Sequence, residues 1–136
     1  MSAGRGLLDT STVILLGRVA DPGMLPDDCV ISAVTLAELS AGPHLASSPS
    51  ERVARQRHLQ QAEADFEPLP FGPAEARAFG AVSASLRAAG RKPAARAYDA
   101  LIAATAIANA LPLFTANPAD FAGIDGLDVR AVALSE

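Results

Sequence analysis

A chain of 136 residues, half of them hydrophobic, fits one domain with a core of ordinary size. Its formal charge of −4 excludes binding of nucleic acid by bulk positive charge, so any such work needs a local device. A single cysteine excludes an internal disulfide, aromatics at 4% leave the core to Ala, Leu, Val and Ile, and no apolar run approaches the roughly 20 residues that cross a bilayer.

Leu7-Leu8 reads as a strand ended by Asp9, followed by a turn and a buried helix over Ser11 to Leu16 that is apolar on more than one side. Asp21-Pro22-Gly23 is a turn. Cys29-Val30-Ile31 is a second strand, with Cys29 as a small buried hydrophobe, and Ser32 caps a helix that runs to about Ala41 before Gly42-Pro43 stops it. Ser47 to Ser50 form a loop and helix entry, and Arg52 to Phe66 a long helix with a charged outer face. Phe66 to Leu69 is short and extended, and Pro68 confines it to an edge or a strand end. Pro73 opens a helix that reaches about Ala89 and is closed by Gly90. The most apolar helix spans about Ala95 to Ala110. Leu113-Phe114 begins a strand ending at the Thr115-Ala116-Asn117 turn, and Leu127 to Arg130 is the last strand. Strands alternating with helices predict an α/β fold: one domain over 1–136, with a parallel sheet of four to five strands and helices on both faces.

Four acids interrupt these apolar segments: Asp9 after the first strand, Glu38 in the helix after the second, Asp99 early in the apolar helix and Asp120 after the late strand. Each also has a purely structural explanation. Asp9 can cap a helix, Thr35-x-x-Glu38 matches a capping box, Asp99 can complement a helix dipole, and Asn117-Pro118-Ala119-Asp120 fits a cap with a first-turn proline. In a parallel sheet, however, ligands bind outside the carboxyl ends of the strands, where Asp9 and the 117–120 turn can share one edge.

The four segments Leu7-Leu8-Asp9-Thr10-Ser11, Ala37-Glu38-Leu39, Asp99-Ala100-Leu101-Ile102-Ala103-Ala104 and Phe114-Thr115-Ala116-Asn117-Pro118-Ala119-Asp120-Phe121, in this order and spacing, closely resemble the PIN-domain ribonucleases. Within that family the chain looks like a VapC-type toxin of a bacterial toxin–antitoxin pair. The resemblance implies that Asp9, Glu38 and Asp99 are the metal-binding acids, with Asp120 or Asn117 in a fourth position, and that Ser11 and Thr115 support them with hydroxyls. It further implies Mg²⁺ or Mn²⁺ as cofactor, RNA as substrate, a VapB-type antitoxin as partner and a homodimer; the lone cysteine and the lack of a membrane-spanning run lead us to expect a cytoplasmic protein with no membrane partner.

The chemistry agrees with the residue types. Hydrolysis of a phosphodiester needs an activated water and a counter to the charge growing on phosphate, and a hard divalent cation held by carboxylates supplies both. Arg91, Lys92 and Arg96, just before Asp99, are the candidate RNA-binding cations, whereas Arg52, Arg55, Arg57 and His58 read as a solvated helix face. The alternative is a PIN-fold interaction module without nuclease activity. A receiver-like phosphoacceptor is a third class, disfavoured because Lys92 is the only lysine.

Overall fold

Leu7 and Leu8 are both fully buried although neighbours in a strand point to opposite faces, so the sheet they belong to is covered on both sides. The computed structural model, which describes residues 4–136, shows how. Five strands, β1 (Arg5–Leu8), β2 (Asp28–Ser32), β3 (Glu67–Leu69), β4 (Leu113–Thr115) and β5 (Val129–Ala131), form one sheet in the order β3-β2-β1-β4-β5. Every pairing is parallel. The register sets Leu7 beside Val30 and Leu113, and Leu8 beside Ile31 and Phe114.

That register sorts the core into two layers. Leu7, Val30, Leu69 and Leu113 face α4 (Pro73–Ala88) and α5 (Ala97–Ala108), meeting Val82, Leu86, Ile102 and the alanines of α5. Leu8, Ile31 and Phe114 face the other way, toward Val13 of α1 (Thr10–Ile14), Leu39 of α2 (Ala33–Ala41) and Ala62 of α3 (Pro49–Asp65). Each large aliphatic so buried contributes roughly 1.5–3 kcal/mol. Gly6 belongs to the same design, since a Cβ there would stand 2.7 Å from the Phe114 ring and 2.8 Å from Pro26.

The α/β class, the parallel sheet and helices on both faces agree with the sequence reading, and Pro68 lies in the edge strand β3. Boundaries differ where local chemistry intervenes. α3 begins at Pro49, because the Ser48 hydroxyl accepts from Glu51 N at 3.1 Å and a proline suits the first turn. α1 stops at Ile14, and a 3₁₀ turn at Leu16–Arg18 follows. α5 starts at Ala97, two residues later than expected, behind a 3₁₀ turn at Pro93–Arg96. The last strand is displaced to Val129–Ala131. Cys29 is half-buried rather than buried, and burial followed by the Asp28 charge raises its thiol pKa. Among the described residues no helix is long and apolar enough to cross a membrane.

The strand order creates one switch point. The chain moves from β1 to β2 on one side and later returns to β4 on the other, so a crevice opens at the carboxyl ends of β1 and β4. Asp9 and Thr115 stand there.

Candidate active site

Asp9 leaves β1 and caps α1, yet it is only 3% exposed, and a carboxylate so buried requires donors on its oxygens. It has four. Oδ1 accepts from Thr12 N at 3.2 Å and from the Thr12 hydroxyl in a short contact, while Oδ2 accepts from Ser11 Oγ at 3.0 Å and Thr115 Oγ1 at 2.9 Å. Each of these hydroxyls in turn accepts an N–H from the turn after β4. Ala116 N donates to Thr12 Oγ1 at 3.0 Å, Asn117 N to Thr115 Oγ1 at 2.9 Å, and Asn117 Nδ2 to Ser11 Oγ at 3.0 Å. Three hydroxyls thus weld two segments more than 100 residues apart around one carboxylate, as the 106-residue separation of Asp9 and Thr115 illustrates.

Glu38 reaches the same place from α2. Ser32, the N-cap, accepts from Val34 N at 3.0 Å, and its hydroxyl lies 3.0 Å from that of Thr105, which donates to Leu101 O. This buried chain of hydroxyls fixes the start of α2 against α5. Thr35 and Glu38 therefore lie inside the helix, which removes the capping-box explanation. The Thr10 hydroxyl is 2.7 Å from Glu38 Oε1 and 3.0 Å from Thr35 Oγ1. Burial pushes the Glu38 pKa up and the Asp9 charge adds to this, against the opposing hydrogen bond from Thr10.

Asp99 enters from the first turn of α5. Burial, then the charges of Asp120, Asp9 and Glu38, push its pKa up to about 6, opposed by Arg96. Arg96 Nη1 sits 2.9 Å from Asp120 Oδ1 and 4.0 Å from Asp99 Oδ2. The 117–120 cap reading holds for the backbone, with Asn117 at the N-cap of a 3₁₀ turn that Pro118 opens, but the Asn117 side chain makes no cap bond and Asp120 faces Arg96. A cavity of about 360 Å³ is lined by Glu38, Arg96, Tyr98 and Asp99, with Ala94 and Ala97.

Asp99 thus feels the charges of Asp120, Asp9 and Glu38, and Glu38 feels that of Asp9. Among the described residues, though, no three His, Cys, Asp or Glu side chains are already drawn together tightly enough to hold an ion. Of the sequence-designated cations, Arg96 is at the site, and Lys92 is exposed and outside the residues that line the cavity. Arg91 turns elsewhere: its Nη1 donates to Ala119 O at 3.2 Å and Ala122 O at 2.7 Å, so it fastens the turn that carries Asp120. Thr12 carries no signal of its own in the sequence, Thr10 enters there only as part of the motif around Asp9, and Thr35 only through its match to a capping box. Arg55 and His58 are half-buried beside the site rather than on a solvated face.

The PIN-domain family model matches residues 7–127, which spans both β1 with Asp9 and the turn with Asp120. The chain belongs to the PIN-domain family. This PIN domain is 38% identical over 123 residues to ribonuclease VapC5 of Mycobacterium tuberculosis, covering 89% of this chain and 88% of that protein. It is 30% identical over 130 residues to ribonuclease VapC1 of Rickettsia felis, covering 93% and 96%. Its structure is similar to VapBC-5 of the toxin–antitoxin family from Mycobacterium tuberculosis, with a TM-score of 0.81 at 35% identity over 96% of this chain and 99% of that one. FitAcB from Neisseria gonorrhoeae gives 0.70 at 27% identity, covering 90% and 94%.

Proposed function

We propose that this PIN domain is a Mg²⁺- or Mn²⁺-dependent endoribonuclease acting as the toxin of a VapC-type toxin–antitoxin pair, partnered by a VapB-type antitoxin and assembling as a homodimer. One observation supports the site assignment: Glu38 and Asp99, from remote helices, line one cavity, where burial and then the charges of Asp120, Asp9 and Glu38 raise the pKa of Asp99. The full-length similarity to ribonucleases of the VapC type supports the substrate class.

The residues present fit a hard divalent cation. The donor set is oxygen only, and two carboxylates about 4 Å apart repel by roughly 4 kcal/mol at an effective dielectric near 20, which a cation between them would relieve. Asp9, Glu38 and Asp99 would hold it, and when bound it supplies a Lewis acid and a water of lowered pKa.

The chain's own residues do the rest. Ser11, Thr12 and Thr115 hold Asp9 in one orientation, and Thr10 does the same for Glu38. Asp120 takes the fourth acidic position, steering Arg96, while the Asn117 amide positions Ser11. Arg96, in the wall of the cavity, is placed to meet phosphate of an RNA strand there, which supplies a local positive charge that the chain as a whole lacks.

The deciding experiment is cleavage of a cellular RNA pool by purified protein with and without Mg²⁺ or Mn²⁺, beside Asp9→Asn and Asp99→Asn. Cleavage that needs metal and vanishes in both variants is expected. Equal cleavage by variants and wild type would dismiss the site.

A further inference from the structure

Tyr98 precedes Asp99 in α5, is 60% exposed, and lines the cavity that holds Glu38, Arg96 and Asp99. A bare aromatic ring among carboxylates has no core to join there. Glu38 also borders a second cavity, of about 240 Å³, whose wall includes Thr10, Ile14, Arg55 and His58. The two cavities share Glu38 as a wall, with Tyr98 and Arg96 in the cavity on one side of it and Arg55 and His58 in the cavity on the other. The Arg55 guanidinium is held there, donating from Nη1 to Gly42 O at 2.9 Å and pairing with Glu51. Aromatic and cationic groups in cavities on either side of Glu38 match the chemistry of an unpaired nucleic-acid strand. Its bases stack on rings and its phosphates meet cations.

We propose that Tyr98 is the stacking platform for an unpaired RNA base next to the scissile phosphate, and that Arg55 and His58 hold a backbone phosphate on the far side of Glu38. The inference rests on the nuclease reading and deepens it by naming the side chains that meet base and phosphate; a base inside a duplex cannot offer its face to the ring. A protein segment could also cover an exposed tyrosine, but the acids surrounding this one favour a ligand whose charge a bound cation and Arg96 can balance.

The chain contains one tyrosine and no tryptophan, so tyrosine emission reports on residue 98 alone. Emission of the Asp9→Asn variant in Mg²⁺ is titrated with a short unstructured RNA, with the same strand annealed to its complement, and with purified cognate antitoxin, correcting for absorbance with free N-acetyltyrosinamide. Quenching by the single strand and not by the duplex is expected. In the otherwise unaltered enzyme, Tyr98→Ala should lower kcat/KM on unstructured RNA roughly 10- to 100-fold while Tyr98→Phe stays within about twofold. Arg55→Gln and His58→Ala should raise KM with little change in kcat and flatten its salt dependence.

Tyr98→Ala acting as fast as wild type, equal quenching by strand and duplex, or quenching by the antitoxin alone would overturn the assignment while leaving the nuclease reading intact. Failure of the nuclease reading would instead show as wild type and Asp9→Asn behaving alike toward RNA, and the titration would still decide the fate of Tyr98.

Discussion

Asp99→Asn offers a test of the electrostatics that needs no RNA. Asp99 has an ordinary pKa of 3.8 in an open chain and about 6 in the folded protein, raised first by burial and then by Asp120, Asp9 and Glu38. Between those values the folded state keeps a proton that the unfolded chain has released, so stability falls as pH rises through the window. At about 1.4 kcal/mol per pH unit, the wild type carries a cost of at most roughly 3 kcal/mol above pH 6 that is absent below about pH 4. The side chain is 31% exposed, and solvent screening brings the expected figure to about 1–2 kcal/mol. A neutral asparagine of the same shape does not bear this cost. The contact with Arg96 that it gives up is long, at 4.0 Å, and Arg96 keeps Asp120. Urea denaturation in EDTA should therefore find Asp99→Asn more stable than wild type near pH 8 by about 1–2 kcal/mol, with the two converging near pH 4. A variant less stable at pH 8, or a gap unchanged between those pH values, would refute the account of crowded carboxylates.

The same crowding makes the metal response measurable. Adding Mg²⁺ or Mn²⁺ at about 100 times its Kd should stabilise wild type by roughly 2.7 kcal/mol, seen as a rise in Tm, and should leave Asp99→Asn nearly unmoved. Thr12→Val removes a buried hydroxyl that both donates to Asp9 and accepts from Ala116 N, and should cost about 1–3 kcal/mol in chemical denaturation together with most of the activity. Gly6→Ala forces a methyl group against Phe114 and Pro26 and should cost about 1–3 kcal/mol, with a matching fall in the urea midpoint. Arg91→Ala should weaken cleavage by loosening the Asp120 turn, which hydrogen exchange at residues 119–122 would report, without changing the salt dependence expected of a phosphate contact.

Much of the architecture is legible because it obeys short-range rules. Leu7-Leu8, Val30-Ile31 and Leu113-Phe114 announce strands buried on both faces, and Gly-Pro, Pro73 and Gly90 punctuate the helices between them. The errors fall where a nearby side chain decides the first turn, as Ser48 does for α3, or where a 3₁₀ turn replaces a helical one, as before α5. Threonine is the harder case. Thr12 reads as an ordinary helix residue, Thr10 as part of a turn and Thr35 as half of a capping box, and only the folded chain shows Thr12 bonded to Asp9 and Thr10 bonded to both Glu38 and Thr35. Arg91 and Arg96 look equivalent in sequence, yet one clamps two carbonyls and the other faces acids.

The order of strands and helices, the identity of the acids and the placement of each beside an apolar segment were settled by the primary chain, since periodicity, caps and proline act over a few residues. What those acids do to one another was settled only in three dimensions. Parallel pairing of β1 with β4 brings residue 9 to residue 115, and α2 and α5 then deliver Glu38 and Asp99 to the same crevice. Coulomb energy and hydrogen bonding depend on distance through space, which the spacing of residues along a chain does not specify.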